Sequence, residues 1–169
     1  FTECNDLVDL LDSQSGKQVL SSTHRLIKHR EHLILTELKL EAQKKFKISE
    51  ADFENGSIET PIGTLIFETV EARGDTSKDS IYIDSDKLVF PLELRLWKAG
   101  DLFQPIGMTG KKKISKYLKD EKLSLVEKEN TWLLTSDDKV VWVLGKRPDE
   151  RFKVSENTEQ ILKIELLNG

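Results

Sequence analysis

The sequence predicts an α+β fold, antiparallel-sheet-rich, with two or three short helices. Three observations carry that prediction. Short runs of alternating apolar and polar residues recur along the chain, as in Leu92-Glu93-Leu94-Arg95-Leu96-Trp97. Turn-forming clusters separate them, among them Asn55-Gly56, Gly74-Asp75-Thr76-Ser77, Asp84-Ser85-Asp86 and Ser136-Asp137-Asp138-Lys139. No βαβ rhythm, heptad or internal repeat is present, which argues against a wound parallel sheet, a coiled coil and a solenoid.

Taken in order, Asn5 is the expected N-cap of a short helix with Leu7, Leu10 and Leu11 on one side, ending near Gly16. Val19 to Ile27 and Leu33 to Leu38 read as strands joined by the polar turn 28–32. Within the charged segment 39–55 one short strand is expected at Phe46 to Ile48. Ile62 to Val70 is the most strand-like run of this half, and Ile81 begins another. Phe90-Pro91 leads into the strand that starts at Leu92. A loop containing Pro105 and Gly107 follows, then a short helix. At 100° per residue, Ile114, Tyr117 and Leu118 share one face of it, while Lys112, Lys113, Lys116 and Lys119 gather opposite. Trp132 to Thr135 and Val140 to Leu144 form a hairpin. Gln160 to Leu167 closes the chain, with Leu162, Ile164 and Leu166 pointing inward. A boundary near Phe90-Pro91 divides a linking module (a short helix plus strands, residues 1–90) from a C-terminal module, residues 91–169.

The 169 residues suffice for one respectable core or two small ones. Apolar runs are only a handful of residues long, so no membrane span is expected. The single cysteine, Cys4, excludes an internal disulfide and fits a reducing cytosol. No signal-peptide pattern opens the chain, so a cytoplasmic location is expected. A first residue of Phe1 rather than Met suggests a piece of a longer protein.

Charge is distributed unevenly. Between Arg95 and Asp120 seven basic residues (Arg95, Lys98, Lys111, Lys112, Lys113, Lys116, Lys119) face two acids, Asp101 and Asp120, a local +5. The whole chain carries −4, so the remainder carries −9. Such a concentration on an acidic protein favours a polyanionic partner. A lysine-rich helix start adds to a dipole end that is already positive, which phosphate would relieve. Solvation of the face is the competing account. Arg95 and Trp97 share the outward face of their strand beside Lys98, where a guanidinium could grip phosphate while an indole packs on ribose or base. Alternatively Trp97 covers the sheet and Arg95 pairs with Glu93 or another strand. Arg147 and Arg151 have acidic neighbours, Asp149 and Glu150, that favour local ion pairs.

Other patterns carry less. Gly107-Met108-Thr109-Gly110 has the spacing of a KH-type GxxG clamp but follows a strand, not a helix. Ser15-Gly16-Lys17 lacks the first glycine of a phosphate loop, that position being Leu11. His24, His29 and His32 lack the Cys/His spacing of zinc sites, so no metal is expected. No carboxylate pair or nucleophile–base pattern marks a catalytic residue.

The run RLWKAGDLFQPIGMTGKKKISKYLKDEKL, with KVVWVLGKRPDERFKVSENTEQILKIEL after it, resembles the C-terminal domain of the tRNA(Ile)-lysidine synthetase family. The shared elements are Arg95, Gly100-Asp101, Pro105-Ile106-Gly107, Lys112-Lys113 and Trp142-Val143-Leu144-Gly145. LLDSQSGKQVLSSTHRLIKHREHLIL resembles the segment that precedes this domain in the family. Leu102 stands where the family pattern commonly has a basic residue, Lys128 where arginine is frequent, and Ser124 and Trp132 where proline is frequent. The resemblance implies that the parent protein is an ATP-dependent ligase. It would adenylate C2 of the first anticodon cytidine of isoleucine tRNA (CAU) and let lysine displace AMP, shifting codon reading from AUG to AUA. ATP with Mg and lysine would be used by an N-terminal domain. Its Ser-Gly-Gly-x-Asp-Ser loop is absent here, so residues 91–169 are expected to be a non-catalytic, tRNA-binding-like domain that engages the tRNA body, with the acceptor stem as the favoured region. The expected contacts are Arg95, Trp97, Lys98, Lys111, Lys112, Lys113, Lys116 and Lys119. The rival expectation is a protein-interaction module that docks on its own catalytic domain or pairs head-to-tail in a homodimer.

Overall fold

A computed structural model describes residues 2–38 and 45–168. Among these are thirteen strands and four α-helices, and every strand pairing is antiparallel. The chain opens with α1 (Thr2–Leu11), so Asn5 lies inside the first helix rather than capping it. Next come β1 (Gln18–Leu20), β2 (His24–His29) and β3 (His32–Glu37) in one three-stranded sheet. The single strand expected over 19–27 is broken because the Ser21 hydroxyl accepts the His24 N–H at 2.9 Å, folding 21–23 into a turn.

The middle of the chain supplies β4 (Lys45–Ile48), α2 (Glu50–Glu54), β5 (Ser57–Thr60), β6 (Gly63–Val70) and β7 (Ser80–Asp84). Helix α2 begins at a capping box in which the Ser49 hydroxyl and Asp52 carboxylate each accept from the other's backbone N–H. Its Phe53 sits between Phe67 and Phe90, with ring centroids 5.5 and 5.2 Å away. Then follow β8 (Leu92–Leu96), β9 (Leu102–Phe103), β10 (Lys112–Lys113), α3 (Ile114–Asp120), α4 (Leu125–Glu129), β11 (Trp132–Ser136), β12 (Lys139–Val143) and β13 (Ile161–Leu167). Asp137 and Asp138 both take positive φ, as a two-residue turn between right-twisted strands requires.

Two four-stranded sheets, ordered β12-β11-β8-β4 and β5-β6-β13-β7, share the larger core. Leu92, Leu94, Leu134 and Trp142 meet Leu65, Ile81, Ile83 and Ile164 there, and each is essentially inaccessible to solvent. The register of β11 with β12 shifts between Leu134 and Thr135, a bulge that lets both Val141 and Trp142 enter this core. Both sheets combine strands from either side of Phe90-Pro91. β4 pairs with β8, and β13 lies between β6 and β7. A second core covers the opposite face of β11 and β12, where Phe103, Ile114, Tyr117 and Leu118 pack on Leu133, Val140 and Val143. The first of the two sheets is therefore buried on both faces, and α3 is fixed to it.

Gly63 closes the β5–β6 turn at φ +127°, where an added Cβ would collide with the Leu167 carbonyl oxygen of β13. Gly63→Ala combines that collision with a backbone conformation costing about 1–3 kcal/mol for a side chain. We expect a loss of at least that size in urea melts.

Candidate nucleic-acid interface

The basic segment is built outward from two buried carboxylates. On β8, Arg95 stands opposite Leu133 of β11, on the face that α3 covers, so alternation turns it inward rather than toward solvent. Only 5% of Arg95 is exposed. A cation there requires a partner, and Asp101 supplies it through two bonds of 2.8 Å, one to each carboxylate oxygen. Asp101 also accepts the Lys98 N–H at 2.7 Å. Burial alone would raise the Asp101 pKa, but hydrogen bonds from Arg95 and Lys98 and their charges together hold it below the ordinary aspartate value. Its backbone carbonyl accepts the Ile114 N–H at 2.9 Å, which sets the start of α3 against the Lys98 turn.

The second carboxylate is Asp149, entirely buried. It accepts the Gln104 N–H at 2.9 Å and two guanidinium bonds from Arg151, at 2.8 and 2.7 Å. Next to it the Glu150 carboxylate accepts the Gly107 N–H at 2.9 Å and pairs with Lys153. The Pro105-Ile106-Gly107 turn is thereby clamped at its base, and Gly107 to Lys111 project as an exposed loop. Its glycines, Gly107 and Gly110, take φ +78° and +85°.

Trp97 is also structural. Its indole N–H donates to the Lys128 carbonyl at 2.6 Å and its ring packs on the smaller core, so the covering role holds. Trp97→Phe keeps the ring and removes this bond. We expect a loss of about 1 kcal/mol in denaturant melts.

The lysines divide into one engaged residue and several open ones. Lys112 pairs with Asp120 at 2.8 Å and lies over the Tyr117 ring, 5.7 Å from its centroid. Lys98, Lys111, Lys113, Lys116 and Lys119 are exposed. Asp120 is held below its ordinary pKa by the Lys112 hydrogen bond first and by the charges of Lys112, Lys116 and Lys119. Three of the lysines thus meet around one carboxylate. Burial pushes the Tyr117 hydroxyl up to about 12; Glu121 adds to this and Arg147 opposes it. Sequence alone favours an ion pair for Arg147, but Arg151 takes Asp149 and Lys153 takes Glu150.

The other patterns resolve differently. At Ser15-Gly16-Lys17 the amides of Gly16 and Lys17 donate to the carbonyls of Lys28 and Gln14, so the turn offers no phosphate cradle. His29 stands opposite His32 in the hairpin, while His24 bonds Thr23, and no group of three or more metal-binding side chains forms among the described residues. Gly107 to Gly110 lead into a strand rather than a helix, unlike a KH clamp.

Two family models match this chain. The TilS substrate binding domain model covers residues 1–38, and the TilS substrate C-terminal domain model covers 92–166. The tRNA(Ile)-lysidine synthase of Parabacteroides distasonis is 42% identical over 164 residues, 96% of this chain. The chain belongs to the TilS family. A second TilS relative, the tRNA(Ile)-lysidine synthase of Bacteroides thetaiotaomicron, is 34% identical over 95% of the chain. The chain spans only 37% and 35% of the lengths of these two curated relatives. A solved structure described as the crystal structure of the TILS C-terminal domain has the same fold over 67% of this chain and 92% of its own, with a TM-score of 0.55 at 22% identity. The TilS C-terminal match encloses Arg95–Asp101, Asp149 and every lysine of the candidate surface. Among the described residues no helix is long and apolar enough to cross a membrane.

Proposed function

We propose that this chain is the tRNA-engaging, non-catalytic part of a tRNA(Ile)-lysidine synthase. The parent enzyme would join lysine to C2 of the first anticodon cytidine of isoleucine tRNA (CAU). ATP with Mg and lysine belong to a catalytic domain outside this chain, which is also its partner, and the setting is the cytoplasm. One observation carries the reading: the exposed lysines Lys98, Lys111, Lys113, Lys116 and Lys119 lie on and beside a helix whose start is set by the buried Arg95–Asp101 site, next to a loop clamped at Asp149. Lysines in this arrangement grip phosphate by charge, and the rigid base fixes where the backbone lies. An anchored tRNA presents its anticodon to a tethered active site at high effective concentration, which is how a non-catalytic module contributes to rate. Arg95 and Trp97 act beneath the surface as positioning residues. Lys112, tied to Asp120, contributes charge more than a free ammonium group.

Hydroxyl-radical footprinting of isoleucine tRNA with the chain tests this. Protection of backbone in the tRNA body, centred on the acceptor stem, is the expected result. Protection confined to the anticodon loop, or none, would refute the positioning role.

A further inference from the structure

Strands β9 and β10 pair, Phe103 with Lys112 and Leu102 with Lys113, so residues 104–111 form the tip of a hairpin. The base of that tip is tied down. The Ile106 N–H donates to the Pro148 carbonyl at 3.1 Å, the Gly107 N–H to the Glu150 carboxylate at 2.9 Å and the Met108 N–H to the Pro105 carbonyl at 3.0 Å. Beyond Met108 the internal bonding stops. The Thr109 amide and hydroxyl and the Gly110 amide bond to no other group among the described residues. Every residue from Gly107 to Lys111 is exposed. A Cβ added at Gly107 or Gly110 would meet nothing within 4 Å, so open space flanks the tip. Met108, the chain's only methionine, stands between these glycines with 42% of its surface exposed. One exposed apolar side chain is ordinary. Its company is not: free donors beside it, a clamped base beneath it, and the exposed Lys111 and Lys113 directly after it.

We propose that this tip lies in the minor groove of an A-form RNA helix and reads the 2′-hydroxyls there, an inference that rests on the lysine surface engaging tRNA. The A-form major groove is deep, narrow and closed to side chains, whereas the minor groove is wide and shallow and displays 2′-hydroxyls and base edges. A short tip bearing small polar groups and one flexible thioether suits such a shallow surface. The Thr109 hydroxyl both donates and accepts, as a 2′-hydroxyl does, and the free amides of Thr109 and Gly110 donate to ribose oxygens. Met108 lies against the sugar edges. Lys111 and Lys113 meet the phosphates that border the groove. The lysines supply affinity by charge, which any nucleic acid satisfies. The tip adds selection for RNA by its sugar, without reading sequence.

The test compares two hairpins with the acceptor-stem sequence of isoleucine tRNA, one of unmodified RNA and one 2′-O-methylated throughout its stem. Both are A-form and carry the same charge, so only the sugar hydroxyls differ. The 169-residue chain is expected to bind the methylated hairpin about tenfold more weakly, the worth of one or two lost hydrogen bonds. Met108→Ala with Thr109→Ala should bind both hairpins equally, with the salt slope of the wild type, because the lysines are intact. Thr109→Ser keeps the hydroxyl and should keep the preference. Equal affinity of the wild type for the two hairpins overturns the inference, and a steep salt slope in that case leaves the lysine anchor standing. A double variant that retains the preference overturns it as well, by moving the sugar contact off the tip. If that variant does not fold, the wild-type comparison decides alone. No binding to the unmodified hairpin at low salt also overturns it, and affinity for whole isoleucine tRNA then shows whether the tRNA reading falls too.

Discussion

Asp101→Ala is expected to destabilise the chain by about 3–5 kcal/mol, because it strands the Arg95 guanidinium in a site from which water is excluded. Both side chains are nearly inaccessible, at 7% and 8%. A domain of this size has about 5–15 kcal/mol in total, so the loss is a large share. The loop holding Lys98 loses its anchor with it, since the Asp101 carboxylate accepts the Lys98 amide, whereas the Ile114 amide keeps the backbone carbonyl of residue 101. Urea melts check the magnitude. The double change Arg95→Met with Asp101→Leu removes both charges and should recover most of the loss, whereas a recovery absent in the pair would mean the salt bridge is not the cause. The pH dependence has a definite sign. The folded pKa of Asp101 is lowered, so its contribution is complete above the ordinary value of about 3.9. It is lost as pH falls through that value toward the depressed one in the folded protein. Acid melts of the wild type should therefore lose stability below about pH 4, and Asp101→Ala should lose less over the same interval.

Lys116→Glu with Lys119→Glu is expected to weaken tRNA binding at least tenfold and to leave the melting temperature unchanged. Both side chains are exposed, and neither enters the smaller core that Ile114, Tyr117 and Leu118 build beneath them. Each lysine that neutralises a phosphate adds about 1 to the steepness of log affinity against log salt, so the double change should flatten that slope by about 2. Lys112 is the poorer choice for this experiment, since reversing it also breaks the Asp120 pair and the cation–ring stacking on Tyr117. Unchanged affinity and slope would remove α3 from the interface.

Strands were the legible part of this chain. Period-two alternation marked β8 and β13, while β6 and the β11–β12 hairpin showed as short apolar runs, the hairpin strands being buried on both faces. Helices α2 and α4 were harder to see, since five residues give too little apolar periodicity to stand out in charged stretches. Their capping boxes, Ser49 with Asp52 and Ser124 with Glu127, were the available signal. Arg95 illustrates the limit of alternation. The pattern says which residues share a face, but not that α3 covers the face Arg95 occupies. The clue was Asp101, six residues on and inside the basic run, spaced to neutralise a buried cation. The lysine surface was visible as composition. The split between Lys112, tied to Asp120, and its open neighbours follows only from the folded arrangement.

The most direct test of the central claim is the affinity of this chain for isoleucine tRNA (CAU), measured across a salt series beside elongator methionine tRNA. The basic surface predicts binding to both that falls steeply as salt rises. A preference for the isoleucine tRNA would add an identity readout to the anchor. Absence of binding to either at low salt would contradict the account, leaving the lysines as a solvated face.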